Sequence, residues 1–474
     1  MQQTEGVAAL GSSGYDFDVH KGILHFEGAN LRSMVQRYGS PLYVFSERKI
    51  TANVKQIRSA FGGKAPKLRI LYAIKAGSSL RIMQAVRREG VGAEVTSEGE
   101  IFLAQMAGFA PGDIIFNGPA KSDRELAISV NLGLYCINLD SADELERLYS
   151  ICRRTGKKAR ISFRVRPNVG AGTKTIQTGT AESKFGLAEE EAIEAYRRAA
   201  SLGNHIRILG IHAHVGSQNT SLDSWRDYVE KLAALAARLR NELGVDLEHV
   251  NIGGGFPIKH VADEWNQPTP AYTKSVPTDE RIARTIADAL DAGGARNLGL
   301  IIEPGRRMVA NTGLLITRIV STKKSGDQNW IYVDAGFNTL PSSRVLKWYF
   351  HLLPVTKASE GNWIPYRVAG PLCDGNDLFH DLDGEEHGMP SLPWHRILPN
   401  DLGAGDLLAF IDVGAYNLDL MNNFNARLLA GAIILDKHGR PIVMRRHQKY
   451  EDLLFYEPHS RSKSIDVAKR MEYE

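Results

Sequence analysis

The sequence predicts an α/β protein built from a (β/α)8 TIM barrel and a second, β-rich domain. Eight short apolar or β-branched runs stop at a glycine or a polar residue, and helical periodicity usually follows each run. They occupy roughly 240 residues, close to the ~250 residues of a (β/α)8 barrel. The predicted strands lie at 68–76, 90–97, 114–118, 134–140, 159–165, 208–215, 249–255 and 299–305.

The helical segments between these runs are amphipathic. The clearest lies between the sixth and seventh strands, where apolar side chains recur along one helix face. They are Leu222, Trp225, Tyr228, Val229, Leu232, Leu235 and Leu239. A doubly wound parallel sheet is the main alternative, since counting strands does not distinguish it from a barrel.

After Arg306 the pattern changes to strands without intervening helices, separated by Gly- and Pro-rich turns. Such strands are expected at 313–321, 330–334, 406–412 and 427–435 and indicate a β-rich domain. A strand-like run at 22–27 suggests that the N-terminal segment joins it. We therefore predict an N-terminal segment at 1–44, a barrel at 45–305 and a β-rich domain at 306–474, with an insertion loop at 263–278 rich in Pro and Thr.

Composition argues against several classes of protein. The chain has 474 residues, 24% of them charged, and a net charge of +4 without a run of five Lys or Arg, so no nucleic acid partner is expected. Three cysteines, none at metal-ligand spacing, do not form a disulfide framework. No run approaches ~18 apolar residues and the N-terminus lacks secretory character, so we expect no membrane span and a cytoplasmic location.

Polar residues gather at the predicted carboxyl ends of the strands, the face where TIM barrels carry their active sites. They offer an amine, imidazoles, a glycine loop and carboxylates on one rim. The residues are Lys75, Glu94, Asn117, Asp140, Arg164, His212, His214, Gly253, Gly254, Gly255, Glu303 and Arg306.

Several of these residues also have a simpler explanation than a role in catalysis or binding. Lys75 is either a solvated strand end or an amine that bonds covalently to a carbonyl cofactor. His212 and His214 share a strand face and could bind a metal, pack on a flat ligand or fill the core. A Gly triplet at the end of strand seven is either a tight turn or a phosphate loop. Glu303 either pairs with Arg306 or faces a pyridine nitrogen.

Two turn-rich segments of the second domain add candidates. Gly370–Asp377 contains Cys373 and Asp374, and Asp412–Tyr416 ends in an aromatic side chain. A lone cysteine is more often a small core residue than a reactive thiol, and a tyrosine in a turn can serve packing alone.

Together these motifs resemble the fold-type III pyridoxal 5′-phosphate decarboxylases, which include diaminopimelate, ornithine and arginine decarboxylases. The motifs occur in the family's order over nearly the whole chain. They are Tyr-Ala-Ile-Lys-Ala at 72–76, Ser-Lys-Phe-Gly at 183–186, His-Ala-His-Val-Gly-Ser-Gln at 212–218, Gly-Gly-Gly at 253–255, Glu-Pro-Gly-Arg at 303–306, Cys-Asp-Gly-Asn-Asp at 373–377 and Gly-Ala-Tyr at 414–416.

The resemblance implies roles for individual residues. Lys75 would bind pyridoxal 5′-phosphate covalently, His214 would stack on its ring and Glu303 would contact the pyridine nitrogen. Cys373 would protonate the product, in a homodimer whose active sites are shared between subunits. The phosphate would be held by Ser217, Gly253, Gly254, Gly255, Arg306 and Tyr416, and the substrate would contact Asp374, Arg306 and Tyr416.

The substrate is harder to predict. Alanine racemases of this fold place an arginine opposite the ring nitrogen, so Glu303 favours decarboxylation. Diaminopimelate decarboxylases usually have Cys-Glu-Ser and an Arg-Pro-x-x-Tyr stretch, which are absent here. Cys373-Asp374-Gly375 resembles the D-ornithine/D-lysine branch, so a basic amino acid with one carboxylate is expected. The alternatives are a meso-diaminopimelate decarboxylase, a non-catalytic regulatory homologue and a metal-dependent barrel hydrolase.

Overall fold

The computed structural model describes residues 16–65, 67–171, 178–259, 276–346, 348, 350–359, 361–379 and 395–458. These residues form two compact units. One contains the residues up to Arg48 and those from Asn311 onward, and the other contains Lys49–Lys259 and the residues from 276 to Ala310. The insertion loop predicted at 263–278 lies outside the described residues except for 276–278.

Strands and helices are numbered in chain order. The strands are β1 (Phe17–His20), β2 (Ile23–Phe26), β3 (Ala29–Asn30), β4 (Leu42–Ser46), β5 (Leu68–Ala73), β6 (Gly92–Val95), β7 (Ile114–Phe116), β8 (Cys136–Leu139), β9 (Ala159–Arg164), β10 (Ile206–His212), β11 (His249–Asn251), β12 (Gly299–Ile302), β13 (Gly313–Ser325), β14 (Gln328–Val333), β15 (Leu352–Pro354), β16 (Trp363–Ala369), β17 (Arg396–Pro399), β18 (Leu407–Ile411), β19 (Gly431–Leu435) and β20 (Pro441–Arg445). The α-helices are α1 (Leu31–Tyr38), α2 (Glu47–Phe61), α3 (Leu80–Arg88), α4 (Glu98–Met106), α5 (Asp123–Leu132), α6 (Ala142–Thr155), α7 (Glu189–Ser201), α8 (Leu222–Leu243), α9 (Asp279–Ala292), α10 (Arg306–Val309) and α11 (Ser342–Val345).

Strands β5 to β12 form a closed, all-parallel barrel in chain order. The barrel closes where β12 pairs with β5 and Leu300 lies beside Leu68. This closure confirms the predicted (β/α)8 barrel and excludes the doubly wound sheet, which would leave two open edges. Each predicted run contains or overlaps one of these strands; the largest difference is at β11, which ends at Asn251, four residues before the predicted end.

Helix α5 shows a capping residue at each end. The Ser122 side chain accepts a hydrogen bond from the Glu125 N–H at the start of α5, and Glu125 bonds back to Ser122. Gly133 then ends this helix in the left-handed conformation. The apolar face predicted for α8 is buried, from Trp225 to Leu239. No described helix combines the length and the apolar character needed to cross a membrane.

The other unit is β-rich, as predicted, and is built on a nine-stranded sheet. The N-terminal segment contributes β4, which lies between β13 and β19 in that sheet. The run predicted at 22–27 becomes β2, which instead pairs with β1 and β3 in a separate three-stranded sheet. Its inward side chains, Leu24 and Phe26, join the apolar core formed with Val44 and Leu314. Thus β2 joins this unit through side-chain packing and through a hydrogen bond from the Leu24 N–H to the Val355 carbonyl at 2.8 Å, while β4 pairs within the nine-stranded sheet.

The lower part of the barrel interior contains a buried histidine at the start of β11. Both ring nitrogens of His249 are buried and have no hydrogen-bond partner among the described residues. Its ring lies 5.9 Å from that of Tyr135. Burial, followed by the charges of Arg69 and His212, lowers the pKa of His249 to about 3, against an opposing effect of Glu303. The imidazole is therefore neutral in the folded protein at physiological pH.

This shift predicts a pH-dependent stability. The unfolded chain binds a proton on His249 near pH 6.5, but the folded chain does so only near pH 3. The contribution of this site is therefore fully present above pH 6.5 and is lost as the pH falls, by about 1.4 kcal/mol per pH unit. We expect His249→Leu to flatten the decrease in the free energy of unfolding between about pH 6.5 and 4, measured by urea denaturation.

The control is His438→Leu, which removes an exposed histidine of the β-rich unit. It should retain the pH dependence of the unsubstituted protein. An identical pH dependence in the His249→Leu variant would contradict the buried neutral assignment.

Candidate active site

Lys75 follows β5 in a short 3-10 turn, Ile74–Ala76, at the carboxyl end of the barrel. Its ammonium group donates hydrogen bonds to both carboxylate oxygens of Glu94, at 3.0 and 2.8 Å. Glu94 is fully buried in β6, whereas the Lys75 side chain is 44% exposed. The turn is held by Tyr72, whose hydroxyl donates to the Gly77 carbonyl at 2.9 Å. An amine is thus presented at the mouth of the barrel with a buried carboxylate beneath it.

Glu303 follows β12 and is 4% exposed. The Asn251 amide donates to its Oε1 at 2.7 Å, and the Asn117 amide donates to its Oε2 at 3.0 Å. The His212 Nε2 lies 3.6 Å from the same Oε2, beyond hydrogen-bonding distance but close enough for charge to act. Burial alone would raise the pKa of Glu303, but His212, Asn251 and Lys75 together hold it at about 2. The group is therefore a buried anion at neutral pH.

The two buried carboxylates share one amide. Asn117 Nδ2 donates to Glu94 Oε1 at 2.9 Å as well as to Glu303 Oε2. Its Oδ1 accepts a hydrogen bond from Asn138 Nδ2 at 2.6 Å, which fixes the orientation of the amide. Both amide hydrogens are thus used, one for each carboxylate. A continuous chain of polar contacts links Lys75 through Glu94 and Asn117 to Glu303.

Glu303 retains room for a further donor. A carboxylate has about four lone-pair sites. The contacts of Asn117 and His212 are made to Oε2, whereas Oε1 accepts one hydrogen bond, from Asn251. The second lone pair of Oε1 is the acceptor with which this side chain can bind an N–H group of a ligand.

His214 lies just beyond β10, partly exposed at the barrel mouth. Its Nδ1 accepts a hydrogen bond from the Gly254 N–H at 3.2 Å. Burial, followed by the positive charges of Arg164 and Lys75, lowers the pKa of His214 well below its usual range. An Nδ1 acceptor in a neutral ring places the proton on Nε2. The side chain is thus an uncharged flat surface, held in place by the glycine loop.

The three glycines after β11 pack directly against the ends of neighbouring strands. A Cβ added at Gly253 would lie 2.6 Å from the Ala213 carbonyl oxygen, and one at Gly254 would lie 2.5 Å from that of Glu303. Gly255 has a φ of +97° and faces the Gly216 carbonyl in the same way, at 2.5 Å. No side chain fits at these positions. The loop is a bare backbone segment, as a ligand-cradling glycine loop requires.

A hydroxyl and a cation lie next to this loop. Ser217 follows Gly216, the residue that Gly255 packs against. Its hydroxyl accepts a hydrogen bond from Arg306 Nε at 3.4 Å. Arg306 is buried and follows Glu303 by three residues, so the cation and the carboxylate come from one turn after β12. A bare glycine loop beside a hydroxyl and a guanidinium is a chemically suitable site for a phosphate group.

Cys373 and Asp374 belong to the β-rich unit. Cys373 is exposed, and its backbone N–H donates to Asn425 Oδ1 at 2.8 Å. The loop is organised by buried Asp377, whose carboxylate accepts hydrogen bonds from the backbone N–H of Phe337 at 2.7 Å and of Leu372 at 2.8 Å. The Cys373 thiol and the Asp374 carboxylate are therefore presented on a well-defined turn.

Tyr416, in the same unit, has a φ of +58°, an unfavourable conformation for an aromatic residue. Its carbonyl accepts a hydrogen bond from the Ser342 hydroxyl at 2.6 Å. Backbone strain of this kind is often found at functional sites, where surrounding contacts maintain it. The strained turn supports a role for Tyr416 beyond simple packing.

The barrel unit brings together most of the residues predicted from the sequence. They are Lys75, His214, Ser217, Gly253, Gly254, Gly255, Glu303 and Arg306, whereas Cys373, Asp374 and Tyr416 lie in the other unit. His212 does not have a metal-ligand arrangement: the described residues contain no group of three or more His, Cys, Asp or Glu side chains able to hold a metal ion. It lies against Glu303 instead.

Two organising residues were not predicted. Asn251 holds Glu303 and also accepts the Gly253 N–H at 2.9 Å, and Asp377 holds the Cys373 loop. The sequence contained a signal for Asn251: side chains alternate along a strand, so His249 and Asn251 of β11 lie on the same face. Asp377 ends the Cys-Asp-Gly-Asn-Asp motif, but its role was not predictable, since its hydrogen-bond donors include Phe337, forty residues away in the chain.

Comparison with known proteins identifies the family of this chain. Residues 47–310 match the family model described as pyridoxal-dependent decarboxylase, pyridoxal binding domain. The chain is 33% identical to a diaminopimelate decarboxylase of Aquifex aeolicus over 91% of this chain and 94% of that protein. It is 34% identical to one of Methanothermobacter thermautotrophicus, over 93% and 96%. The crystal structure of diaminopimelate decarboxylase from M. jannaschii with L-lysine superposes with a TM-score of 0.83 at 28% identity, over 94% and 98% of the two chains.

These relatives correct one expectation from the sequence. The Cys-Asp-Gly motif suggested similarity to the D-ornithine/D-lysine branch, but the relatives that match at 33–34% identity are diaminopimelate decarboxylases. The motif covers three residues of a turn, whereas the similarity extends over nine-tenths of the chain. A short turn motif was therefore a poor guide to the branch of the family.

The described residues fit pyridoxal 5′-phosphate. Glu303 has an acceptor left for a ring N–H, His214 offers a neutral flat surface, and Lys75 offers an exposed amine. The glycine loop, in which added Cβ atoms would lie 2.5–2.6 Å from backbone oxygens, leaves only backbone to face a phosphate group. These features match the ring nitrogen, the ring face, the aldehyde and the phosphate of this cofactor.

Gly254→Ala tests the glycine loop. The new methyl group would lie 2.5 Å from the Glu303 carbonyl oxygen, so either the loop or the backbone of Glu303 must move. We expect the affinity for pyridoxal 5′-phosphate to fall by about tenfold or more, equivalent to ~1.4 kcal/mol. The dissociation constant is measured from the change in absorbance during cofactor titration.

The matched control is Gly112→Ala. This glycine has no heavy atom within 4 Å of an added Cβ, so the affinity should not change. Equal affinities in the two variants would exclude the loop as part of the cofactor site.

Proposed function

We propose, on the premise that this chain belongs to the family of pyridoxal-dependent decarboxylases, that it removes CO2 from meso-diaminopimelate and forms L-lysine. One observation carries the choice of substrate. Relatives at 33–34% identity, matched over more than nine-tenths of both chains, are diaminopimelate decarboxylases. The match to these relatives covers both the barrel and the β-rich unit. It therefore extends beyond the cofactor-binding region, and this supports a common substrate.

In the proposed mechanism, the barrel unit holds the cofactor. Lys75 would hold it through its amine, His214 would pack on the ring and Glu303 would accept a hydrogen bond from the ring nitrogen. Gly253–Gly255, Ser217 and Arg306 would bind the phosphate, and the resemblance adds Tyr416. When bound, pyridoxal 5′-phosphate supplies an electron sink for the electron pair left by departing CO2. The low pKa of Glu303 suits it to stabilise a protonated ring nitrogen.

Two proton transfers fall to this chain. Glu94, bonded to Lys75 through both oxygens, could accept a proton from the incoming substrate ammonium and return it to the Lys75 amine as that amine is released. The Cys373 thiol then donates its proton to the substrate α-carbon, which has lost CO2. The exposure of this thiol on an ordered turn supports the assignment.

An arginine supports a substrate with a distal carboxylate. Meso-diaminopimelate carries an ammonium and a carboxylate at each end, so its distal end requires partners of both charges. The Arg344 guanidinium donates a hydrogen bond to the Asn376 side chain, on the turn that carries Asp374. We propose that Arg344 binds the distal carboxylate and Asp374 the distal ammonium. This pair would replace the absent Arg-Pro-x-x-Tyr stretch.

We further propose that the enzyme is a homodimer in which Cys373 and Asp374 serve the site of the neighbouring subunit. The resemblance suggests this arrangement, and the turn that carries the two residues is compatible with it. The turn is anchored by buried Asp377, while the Cys373 side chain remains exposed. Such an exposed, rigid turn can contribute to a symmetric interface.

A substrate panel tests the reaction. We expect CO2 release from meso-diaminopimelate and not from D- or L-ornithine or D- or L-lysine. Arg344→Gln should raise the KM for meso-diaminopimelate by about 10- to 100-fold, the value of one charge-assisted hydrogen bond, with less effect on kcat. Initial rates of CO2 release provide both parameters.

Arg32→Gln, at an exposed position of α1 in the same unit, serves as the matched control and should leave KM unchanged. Release of CO2 from ornithine or lysine alone would overturn the substrate while leaving the family assignment intact. An unchanged KM in Arg344→Gln would remove this residue from the substrate site.

Mixing two inactive variants tests the shared active site. Lys75→Ala and Cys373→Ala should each have little activity. Their co-expression forms mixed dimers in which one of the two sites contains both native residues, so activity should recover to about a quarter of the native value.

The matched control combines Lys75→Ala with Glu303→Ala, two substitutions in the barrel unit. No mixed dimer then has a complete site, and activity should remain at background. A failure of Lys75→Ala and Cys373→Ala to complement, in dimers verified by size-exclusion chromatography, would place Cys373 outside the neighbouring site.

A further inference from the structure

The barrel unit contains a cavity at the amino-terminal ends of its strands, away from the proposed active site. The cavity has a volume of about 840 Å³. It is lined by the beginnings of β5 and β6 and by the turn before β7, at Leu68, Gly92 and Asp113. Lys75 and Glu94 lie at the opposite ends of the same strands. The cavity is therefore separate from the proposed active site.

The charge of the lining is strongly biased. Four arginines line the cavity, whereas Asp113 is the single acidic residue among its lining residues. A concave surface dominated by one sign of charge concentrates ions of the opposite sign. The arginines are Arg58, Arg69, Arg87 and Arg88.

Two of the guanidinium groups lie against backbone at the edge of the cavity. Arg58 donates a hydrogen bond to the Glu89 carbonyl oxygen. The Arg87 guanidinium lies against Gly108, where an added Cβ would be 3.2 Å from Cζ. Gly108 also has a φ of +92°, a conformation that disfavours other residues. The absence of a side chain at Gly108 therefore leaves room for the Arg87 guanidinium next to the backbone.

A third arginine is fixed by stacking. The Arg69 guanidinium lies 3.9 Å from the centre of the Tyr135 ring and donates to the Gly112 carbonyl at 3.1 Å. Its separation from the Asp113 carboxylate is 3.6 Å, so part of its charge is balanced. Stacking on an aromatic ring leaves the edge of the guanidinium available for in-plane hydrogen bonds. Arg69 is thus oriented rather than free in solvent.

We propose that this cavity binds a small molecule that carries two or more phosphate or carboxylate groups. Arginine forks match both groups in bidentate geometry, and several oriented guanidinium groups require more than one anionic group to balance them. The volume lies within the ~300–1,000 Å³ of small-molecule sites. The proposal is independent of the proposed function, because it concerns the opposite face of the barrel.

Isothermal titration calorimetry of the cofactor-loaded protein with inorganic tripolyphosphate and with citrate tests the proposal. We expect saturable binding of at least one probe, and the tighter probe identifies phosphate or carboxylate as the natural group. Affinity should fall as salt is added. Arg58→Gln combined with Arg87→Gln should weaken binding by about tenfold or more, the effect of losing charge-assisted hydrogen bonds.

The matched control is Arg281→Gln combined with Arg284→Gln, which removes the same charge from exposed positions of α9. This control should bind both probes normally. If the first double variant fails to fold, as judged by its thermal melting, Arg87→Glu alone reverses one exposed charge and should weaken binding in the same direction. The proposal is overturned if neither probe binds, or if the cavity and control variants bind equally.

Discussion

The site depends on keeping one carboxylate charged inside the barrel. Removing a carboxylate from water costs several kcal/mol unless nearby groups compensate for the lost hydration. For Glu303 the compensation comes from Asn117, Asn251 and His212, which follow or belong to three different strands. Asn117 lies three strands away from Glu303 around the wall, so its amide reaches across the interior. Closure of the barrel is therefore what makes the buried charge stable.

The same amides connect parts of the site that would otherwise be independent. Asn117 joins Glu303 to Glu94 and so to Lys75, while Asn251 joins Glu303 to the Gly253 N–H. The proposed groups for the ring nitrogen, the aldehyde and the phosphate therefore share one network of hydrogen bonds. Because each of these side chains is bonded to the next, the network holds its members in one arrangement while Glu303 keeps one acceptor for a ligand. Such preorganisation is what electrostatic stabilisation of a reaction requires.

The limits of sequence reasoning follow from the range of the interactions. The eight barrel strands were predicted because each run ends locally, at residues such as Gly118 or Asp140. The run at 22–27 was predicted to join the β-rich domain, and as β2 it does so, paired with its chain neighbours β1 and β3. The pairing of β4 with β13 was not predicted, because these two strands are far apart in the chain and no local pattern links them. The expected branch of the family was wrong because a three-residue turn motif at Cys373 is less informative than similarity over nine-tenths of the chain.

The sequence alone determined the barrel, the β-rich unit, the cofactor class and the residue types at the strand ends. Hydrophobic periodicity and short motifs each involve only residues that are close together in the chain, so they can be recognised without the fold. The tertiary structure decided what those residues contact. It paired Lys75 with Glu94, gave Glu303 its amide donors and placed Arg344 beside the turn of Asp374. These contacts join residues from 19 to 186 positions apart, and only the closed fold brings such distant groups within 3 Å or so of each other.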